Sequence, residues 1–282
     1  MWSRPSSWDF WESKGNKPRG QAYLGYACRV IRRVPPLPLF FEAGLRPAAE
    51  GRTMITQNNG REGRAMDGFR VIDKNSYYRK DIFRHFSEDC KCSMSMTARL
   101  DVTALAAYSR ASGTKFSLNF LYLLAKTLNS REDYRMGWLW QTEELICYDV
   151  IHPTQYLFHE DTETCTPVYT RYSEDYGRFY RGAAEDLSRA AQTRDYALDA
   201  EGHPNWFDAS YIPWMSYDAL HVELPDGYLF FAPIVNWGRW REENGRLMMP
   251  VSVRLNHAVA DGFLLANVFR LLQREIDAFC AR

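Results

Sequence analysis

Long apolar runs, cysteine and unbalanced charge are all scarce in this sequence of 282 residues. No run approaches the roughly eighteen apolar residues that cross a membrane, so we expect no membrane partner. The 35 basic residues balance the 35 acidic ones, which gives no bulk attraction to nucleic acid. Six cysteines do not make a disulfide framework in a chain of this length. These shortages predict a soluble protein of the reducing cytoplasm.

Motifs that grip phosphate or hold a metal are lacking as well. The chain has neither a Gly-x-Gly-x-x-Gly nor a Walker sequence, so no phosphate-binding glycine loop is expected. Cys90-Lys91-Cys92 is spaced too closely, and stands too much alone, for the usual zinc pairs. On a strand both cysteine side chains would share one face, which favours a pocket wall or the core.

The composition predicts one folded domain behind an N-terminal extension. The apolar content of 46% can supply a full core, and 15% aromatic residues favour a dense core or an aromatic-lined pocket. Residues 1–65 are rich in Pro, Gly and Arg without sustained periodicity, so we expect them to be largely disordered. They are either an upstream start before Met66 or a regulatory or targeting arm. The compact domain is expected to span residues 66–282.

The clearest pattern in the chain ends at His257. Apolar side chains occupy every second position before it: Leu247, Met249, Val251, Val253 and Leu255. This period of two predicts a strand with one apolar face, and His257 continues that face towards the interior. Asp261-Gly262 marks a tight turn. Helical spacing beyond the turn predicts a C-terminal amphipathic helix, with Leu264, Val268, Leu271, Leu272, Ile276 and Phe279 on its apolar face.

His257 is a candidate for a partly buried base, and two other interpretations stay open from these residues. A histidine at a strand end is more often a hydrogen-bonded structural residue than a catalyst. His257 and Asp261 could also be two ligands of a metal, although no nearby motif supplies a third ligand. We therefore expect no metal.

The rest of the chain interleaves helices and strands without a regular βαβ rhythm, which favours a mixed sheet. A helix along 117–129 should be central and buried, because it is apolar nearly all round. Three further helices are predicted: one over 77–86, one that begins at the cap Asp101, and one from the cap Ser173 to about 191. Strands are predicted over 93–101, 144–150, 155–159, 219–224 and 228–236. A loop over 195–206 and a charged turn over 238–245 complete the predicted elements.

Five motifs carry a resemblance to a known family. Asn256-His257-Ala258-Val259-Ala260-Asp261-Gly262 resembles the His-His-x-x-x-Asp-Gly signature of the chloramphenicol acetyltransferases, a family of coenzyme A-dependent acyltransferases. The other four motifs follow the family's order along the chain: Tyr77-Tyr78-Arg79-Lys80-Asp81-Ile82-Phe83, Phe158-His159-Glu160-Asp161-Thr162-Glu163-Thr164, Ser210-Tyr211-Ile212-Pro213-Trp214 and Phe231-Ala232-Pro233-Ile234.

The resemblance implies a fold, an assembly and a reaction. The fold is a two-layer α/β sandwich with a mixed sheet covered by helices, in a homotrimer with active sites between subunits. The reaction is acetyl transfer from acetyl-CoA to a hydroxyl of chloramphenicol or a similar small molecule. His257 matches the general base, Ser210 the serine that steadies the tetrahedral oxyanion, and Asp261 the aspartate that pairs with an arginine at the position of Arg79.

The same resemblance assigns the binding residues. For acetyl-CoA, Lys115 and Arg239 match basic positions near the phosphate, and Trp240 replaces a tyrosine at the adenine. For the acceptor, the matched residues are Phe86, Cys92 and Asn236. Departures from the family pattern are Asn256 for the first histidine of the pair, Asn236 for a threonine, His221 for an asparagine, and His85, Cys90, Cys92, Met94 and Cys165 for aromatic positions of the acceptor pocket.

Three hypotheses follow from the residues and the resemblance. The first is an O-acetyltransferase that acts on chloramphenicol with His257 as base. The second keeps this fold and acylates another hydroxyl or amine, because a pocket that loses rings gains room. The third is a ligand-binding trimer that has lost its chemistry, which Asn256, Asn236 and His221 motivate.

Overall fold

A computed structural model describes residues 68–196, 203–224 and 229–281 of the chain. The strands are β1 (Phe69–Val71), β2 (Ser93–Asp101), β3 (Met136–Leu139), β4 (Glu144–Tyr148), β5 (His152–His159), β6 (Thr164–Tyr169), β7 (Trp206–Ile212), β8 (Ile234–Gly238), β9 (Arg241–Glu243) and β10 (Arg246–Asn256). The helices are α1 (Lys80–Arg84), which continues into a π-helical turn (His85–Asp89), α2 (Thr103–Ser112), α3 (Phe116–Asn129), α4 (Tyr176–Ala190) and α5 (Gly262–Cys280), with a 3₁₀ turn at Glu132–Tyr134.

The larger sheet has seven strands and is mixed. Its order is β2-β10-β8-β7-β5-β6, with the short β9 paired to β10. β7 runs parallel to both β5 and β8, and the other pairs are antiparallel. A second, three-stranded sheet has the order β1-β4-β3. The predicted mixed sheet is therefore confirmed.

Helices cover one face of the larger sheet, and the alternation of β10 explains why. Val251 and Val253 of β10 lie opposite Trp237 and Val235 of β8, and all four side chains are buried in the main core. α3 and α5 pack on this face, and α3 is buried along nearly its whole length, as its sequence predicts. Burial of these side chains is the main stabilising contribution to the domain.

The opposite face of the larger sheet is polar. Ser252 of β10 lies opposite Asn236 of β8, and Asn236 lies opposite Ser210 of β7. Directly opposed residues project from the same face of a sheet, so these three side chains form one row across three strands. The row lies on the face that α3 and α5 leave uncovered.

The small sheet supports the loop that follows β10. Ala258 and Val259 of this loop are buried in a second core together with Phe83 of α1 and with Leu145 and Cys147 of β4. The loop is thus clamped between the end of the large sheet and the small one.

Several predicted elements are wrong or displaced. Residues 219–224 pair with no strand. No strand was predicted over β7, and the loop predicted over 195–206 overlaps only its first residue. The strand predicted over 228–236 is β8, which begins at Ile234 and ends at Gly238, and the turn predicted over 238–245 contains β9. β5 begins at His152, upstream of the predicted 155. The helix predicted over 77–86 contains only one turn of α-helix before its π-helical turn.

Two predicted helix caps are also corrected. Asp175, rather than Ser173, caps α4, because its Oδ1 accepts a hydrogen bond from the amide of Arg178; Ser173 instead accepts one from the amide of Asp175. The cap position of α2 is Val102 rather than Asp101, and Asp101, one residue before it, accepts a hydrogen bond from the amide of Thr103. The extension predicted over residues 1–65 lies outside the described residues.

Candidate active site

His257 lies in the loop that joins β10 to α5. Its amide donates a 3.0 Å hydrogen bond to the carbonyl oxygen of Cys92. The ring of Phe86 stacks on the imidazole, with centroids 3.7 Å apart and planes at 9°. Nδ1 is buried without a hydrogen-bond partner in the part of the chain that the structure describes. The side chain as a whole is half-buried, so its exposure falls on the other atoms of the ring.

Asn256 shapes the turn that carries His257. Its side-chain Oδ1 accepts a hydrogen bond of 2.9 Å from the amide of Ala258. Its carbonyl oxygen accepts hydrogen bonds from the amides of Val259 and Ala260. Asn256 is itself 3% exposed. The asparagine side chain therefore satisfies one backbone amide of the loop, and the backbone carbonyl of the same residue satisfies two more.

Asp261 ends the loop with both of its carboxylate oxygens occupied. Oδ1 accepts from the amides of Phe263 and Leu264 and so caps α5. Oδ2 accepts from Nη1 and Nη2 of Arg79, each at 3.1 Å. Burial by itself raises the pKa of Asp261, but the Leu264 amide and the Arg79 guanidinium together bring that pKa below its ordinary value. The carboxylate is therefore ionised at neutral pH, and the pair predicted from the resemblance is present.

Ser210 and Asn236 lie in the polar row, on the face of the large sheet opposite α3 and α5. Ser210 is half-buried and Asn236 is 8% exposed. Ser252, at the β10 end of the row, lies five residues before His257. A strand advances about 3.3 Å per residue, so His257 is roughly 17 Å along β10 from the row. One chain therefore does not bring Ser210 to His257.

Phe86 and Cys92, two of the predicted acceptor-binding residues, adjoin His257. Phe86 covers one face of the imidazole, and Cys92 holds the backbone of His257. Asn236, the third, lies with Ser210 in the distant row. The predicted acceptor residues thus divide into one group beside His257 and one group beside Ser210.

The predicted cofactor residues lie near one another, outside the row. Lys115 is exposed at the first turn of α3, and its amide donates to the hydroxyl of Tyr180. The next residue, Phe116, packs edge-on against Trp240 with ring centroids 4.8 Å apart. Arg239 is exposed, and its amide donates to the carbonyl of Met215. Two cations and one indole are thus presented around the start of α3 and the end of β8.

Two charged residues on the same face of the large sheet were not predicted to belong to a site. Asp208 accepts a hydrogen bond of 2.8 Å from the hydroxyl of Tyr156, and burial raises the pKa of Asp208 to about 6. Arg254 of β10 is 4% exposed, donates to Ser93, and has its pKa lowered to about 10 by burial. Both project from the same face as Ser210, and the period-two pattern of β10 is the signal that could have placed Arg254 there.

Metal and membrane features were searched for in the described residues only. Within residues 68–196, 203–224 and 229–281, His, Cys, Asp and Glu side chains form no group of three that could hold a metal ion. Over the same residues, no helix is long and apolar enough to cross a membrane. Asp261 accepts hydrogen bonds from Arg79 and from an amide of α5.

Comparison with solved structures shows the class of fold. A chloramphenicol acetyltransferase structure matches with a TM-score of 0.69 at 19% identity, over 74% of this chain and 99% of that one. A truncated catalytic core of the 2-oxoacid dehydrogenase multienzyme complex from Thermoplasma acidophilum matches with a TM-score of 0.54 at 12% identity, over 71% and 95% of the two chains. The fold is therefore that of the coenzyme A-dependent acyltransferases, as predicted.

Comparison of sequences shows the family. The family model described as chloramphenicol acetyltransferase matches residues 67–273. The chloramphenicol acetyltransferase of Streptomyces acrimycini is 34% identical over 202 residues, which are 72% of this chain and 91% of that protein. The one of Proteus mirabilis is 29% identical over 213 residues, 76% and 97% of the two. The chain belongs to the chloramphenicol acetyltransferase family and is an acyltransferase.

Proposed function

We propose that this enzyme moves the acetyl group of acetyl-CoA to a hydroxyl of chloramphenicol or a similar small molecule, with His257 as general base. Both substrates bind together in this mechanism, and no covalent enzyme intermediate forms. The observation that carries the proposal is the fixed environment of His257. Phe86 stacks on its ring, Cys92 holds its amide, and the Arg79–Asp261 pair fixes the far end of its loop.

The proposed chemistry follows from the state of the imidazole. Since Nδ1 is buried, Nε2 is the nitrogen left to meet a substrate. It takes the proton of the acceptor hydroxyl while the hydroxyl oxygen attacks the thioester carbonyl. When the tetrahedral intermediate collapses, the proton returns to the departing CoA thiolate. Histidine is the side chain that most often takes up and returns a proton in this way.

Ser210 stabilises the oxyanion in this proposal and comes from a second copy of the chain. Its hydroxyl donates a hydrogen bond to the oxygen that becomes negative, which is worth about 2–4 kcal/mol of barrier lowering. The separation of roughly 17 Å between His257 and the row of Ser210 within one chain supports a site shared by two copies. Exposed apolar side chains beside each half support it too: Trp214 (59%), Met215 (57%) and Phe263 (70%). A homotrimer with three such sites is the proposed assembly.

Acetyl-CoA is the proposed donor, and no metal takes part. Lys115 and Arg239 supply exposed positive charge for its phosphates, and the indole of Trp240 supplies an aromatic surface for the adenine. We place the enzyme in the cytoplasm, because the cysteines among the described residues are free thiols.

The acceptor site combines Phe86 and Cys92 of one copy with Asn236 of the next. Cys90, beside Cys92, is exposed where the family carries an aromatic ring, which supports a roomier pocket. This observation favours the second candidate, an acceptor other than chloramphenicol with a hydroxyl or amine group. A panel of acceptors scored by thiol release from acetyl-CoA separates the two, because a strong preference for chloramphenicol excludes the second candidate.

His257→Ala tests the general base. We expect thiol release to fall about 100-fold or more, because loss of a general base removes that share of the rate. His203, which stacks on Tyr169, gives a matched control: His203→Ala should keep its activity. Retention of more than about a tenth of the activity by His257→Ala contradicts the role. Binding of CoA without turnover by the unaltered protein supports the third hypothesis, a binding trimer.

Mixing two inactive variants tests the shared site. His257→Ala and Ser210→Ala chains are unfolded together and refolded as mixed oligomers. If His257 and Ser210 of one site come from different copies, about a quarter of the sites in random mixtures regain both residues. Activity should therefore rise well above that of either variant alone. Mixtures no more active than their components contradict a site between copies.

A further inference from the structure

Cys90 and Cys92 lie in the segment that wraps His257. The segment begins with the π-helical turn, and the amide of Cys90 donates a 2.8 Å hydrogen bond to the carbonyl of His85. Two residues later the carbonyl of Cys92 accepts from the amide of His257. Phe86, in the π-helical turn before both cysteines, stacks on the imidazole. Any group that bridges the two thiols therefore lies against the residues that hold His257.

The two thiols lie two residues apart in the sequence and are accessible. Cys90 is exposed and Cys92 is half-buried. Burial, followed by the charge and the hydrogen bond of the Cys90 sulfur, raises the pKa of the Cys92 thiol. Two residue steps of backbone span at most about 7 Å, so one bridging atom can reach both sulfurs. The Cys90 sulfur is needed neither for the proposed acetyl transfer nor for the fold, because the Cys90 side chain belongs to neither core.

We propose that Cys90 and Cys92 form a dithiol site that binds trivalent arsenicals and comparable thiophilic species, and that its occupation stops acetyl transfer. Binding is independent of the proposed function, whereas the inhibition rests on it. Two soft sulfurs only two residues apart suit an acceptor that takes two thiolates. The chain holds both sulfurs at once, so the second bond forms at a high effective concentration.

The bonds formed and broken balance without an oxidant. A monosubstituted arsenous acid, R–As(OH)₂, reacts with both thiols to give R–As(S–)₂ and two molecules of water. Two As–O bonds break and two As–S bonds form, and each thiol proton leaves with a hydroxyl oxygen. Arsenic stays in its trivalent state. Any third bond of arsenic remains with its organic group, so two sulfurs are enough.

Bridging acts on the site in two ways. The arsenic and its substituent occupy space next to Phe86, where the proposed acceptor enters. The bridge also constrains the backbone from Cys90 to Cys92, including the carbonyl that holds the amide of His257. Both effects reduce kcat/KM for the acceptor more than the affinity for acetyl-CoA, whose proposed residues lie at Lys115, Arg239 and Trp240.

Phenylarsine oxide and the full-length protein test the dithiol. Intact mass should show one phenylarsenic adduct that survives excess monothiol and is removed by 2,3-dimercaptopropanol. Cys90→Ser and Cys92→Ser should each weaken the adduct about 100-fold, because a single sulfur loses the chelate advantage. Cys28→Ser and Cys280→Ser are the matched controls and should bind as the unaltered chain does. An adduct of equal strength on Cys90→Ser, or one that monothiol removes, overturns the site.

Activity measured on the same samples tests the consequence. The unaltered enzyme should lose acetyl transfer in proportion to the adduct and recover it with the dimercaptan, whereas Cys90→Ser should keep its own starting activity at that dose. A fully modified enzyme that still turns over overturns the inhibition. If the unmodified protein shows no acetyl transfer, the proposed function fails, and the mass measurement still decides the dithiol site by itself.

Discussion

Arg79 and Asp261 lie 182 residues apart in the sequence and meet through two hydrogen bonds, from both terminal guanidinium nitrogens to one carboxylate oxygen. The pair is asymmetric, because the arginine side chain is 8% exposed and the aspartate side chain is 37% exposed. The cost of breaking the pair therefore depends on which charge is left behind. Leaving the buried guanidinium without its counter-ion costs more stability than leaving the more exposed carboxylate without one.

Asp261→Asn should lower the free energy of unfolding by about 1–3 kcal/mol, because it leaves the charge of Arg79 buried and unbalanced. Asparagine still offers Oδ1 to the amides of Phe263 and Leu264, so the cap of α5 survives. Asp218→Asn is the matched control, since this aspartate is 76% exposed beside Arg99 and its pair should contribute little. Urea unfolding measures both. Equal losses in the two variants contradict the expectation.

The effect of Asp261→Asn should depend on pH. The pKa of Asp261 in the folded protein lies below its ordinary value of about 3.9, so the carboxylate stabilises the fold above that pH. This contribution is lost as pH falls through the folded pKa. The deficit of the variant should thus be full at pH 7 and shrink towards pH 3, as followed by unfolding at a series of pH values. A deficit independent of pH contradicts the ion pair as its cause.

Ser210→Ala should lower kcat for acetyl transfer about 100- to 1,000-fold and change KM little, because the hydrogen bond is needed only for the oxyanion. Ser252 gives a close control in the same row. Its hydroxyl is engaged with that of Thr97 at 2.7 Å, so Ser252→Ala should keep kcat near the unaltered value. Steady-state kinetics of thiol release compare the two, and a loss confined to KM contradicts the role of Ser210.

Trp240→Ala should raise KM for acetyl-CoA about tenfold or more while kcat stays nearly unchanged, because stacking on a base binds substrate and transition state alike. Trp140→Ala is the control, since this tryptophan is 51% exposed and lies just after β3. Initial rates at varied acetyl-CoA measure the effect. A fall in kcat with constant KM contradicts an adenine contact.

Asp208→Asn should change how stability depends on pH. Because the folded pKa of Asp208 is raised to about 6, the protonated form favours the fold, and that contribution is lost as pH rises through about 6. An amide stays neutral, so the variant should gain on the unaltered protein by about 1–3 kcal/mol between pH 4 and pH 8. Thermal or urea unfolding across that range checks it, and parallel curves contradict it.

The last strand, β10, and the last helix, α5, were predictable because their apolar patterns coincide with the faces that they bury. β10 and α5 follow periods of two and of about 3.6 residues, and both bury the face that the pattern selects. Residues 219–224 show why a pattern alone fails. Their side chains alternate between half-buried and exposed, as predicted, yet no neighbouring strand offers a ladder. Alternating apolar residues indicate which side chains of a segment face the protein. A strand also needs a second segment with which its backbone can form hydrogen bonds.

β7 was missed for the converse reason. Phe207 and Ala209 point into the core, but Trp206, Tyr211 and Ile212 are apolar too, and Asp208 interrupts the run. The strand is recognisable only from its parallel partners β5 and β8. The missed strand carries Ser210, so its row with Asn236 and Ser252 could not be foreseen. The stacking of Phe86 on His257 likewise joins residues 171 positions apart, which local patterns do not report.

The pairing of β2 with β10 has a consequence for synthesis of the protein. β2 ends at Asp101 and β10 begins at Arg246, so most of the chain must leave the ribosome before β2 gains its neighbour. Until then β2 presents unsatisfied amide and carbonyl groups, the kind of edge that captures other unfinished chains. Translation speed and chaperone supply should thus affect the yield of active enzyme.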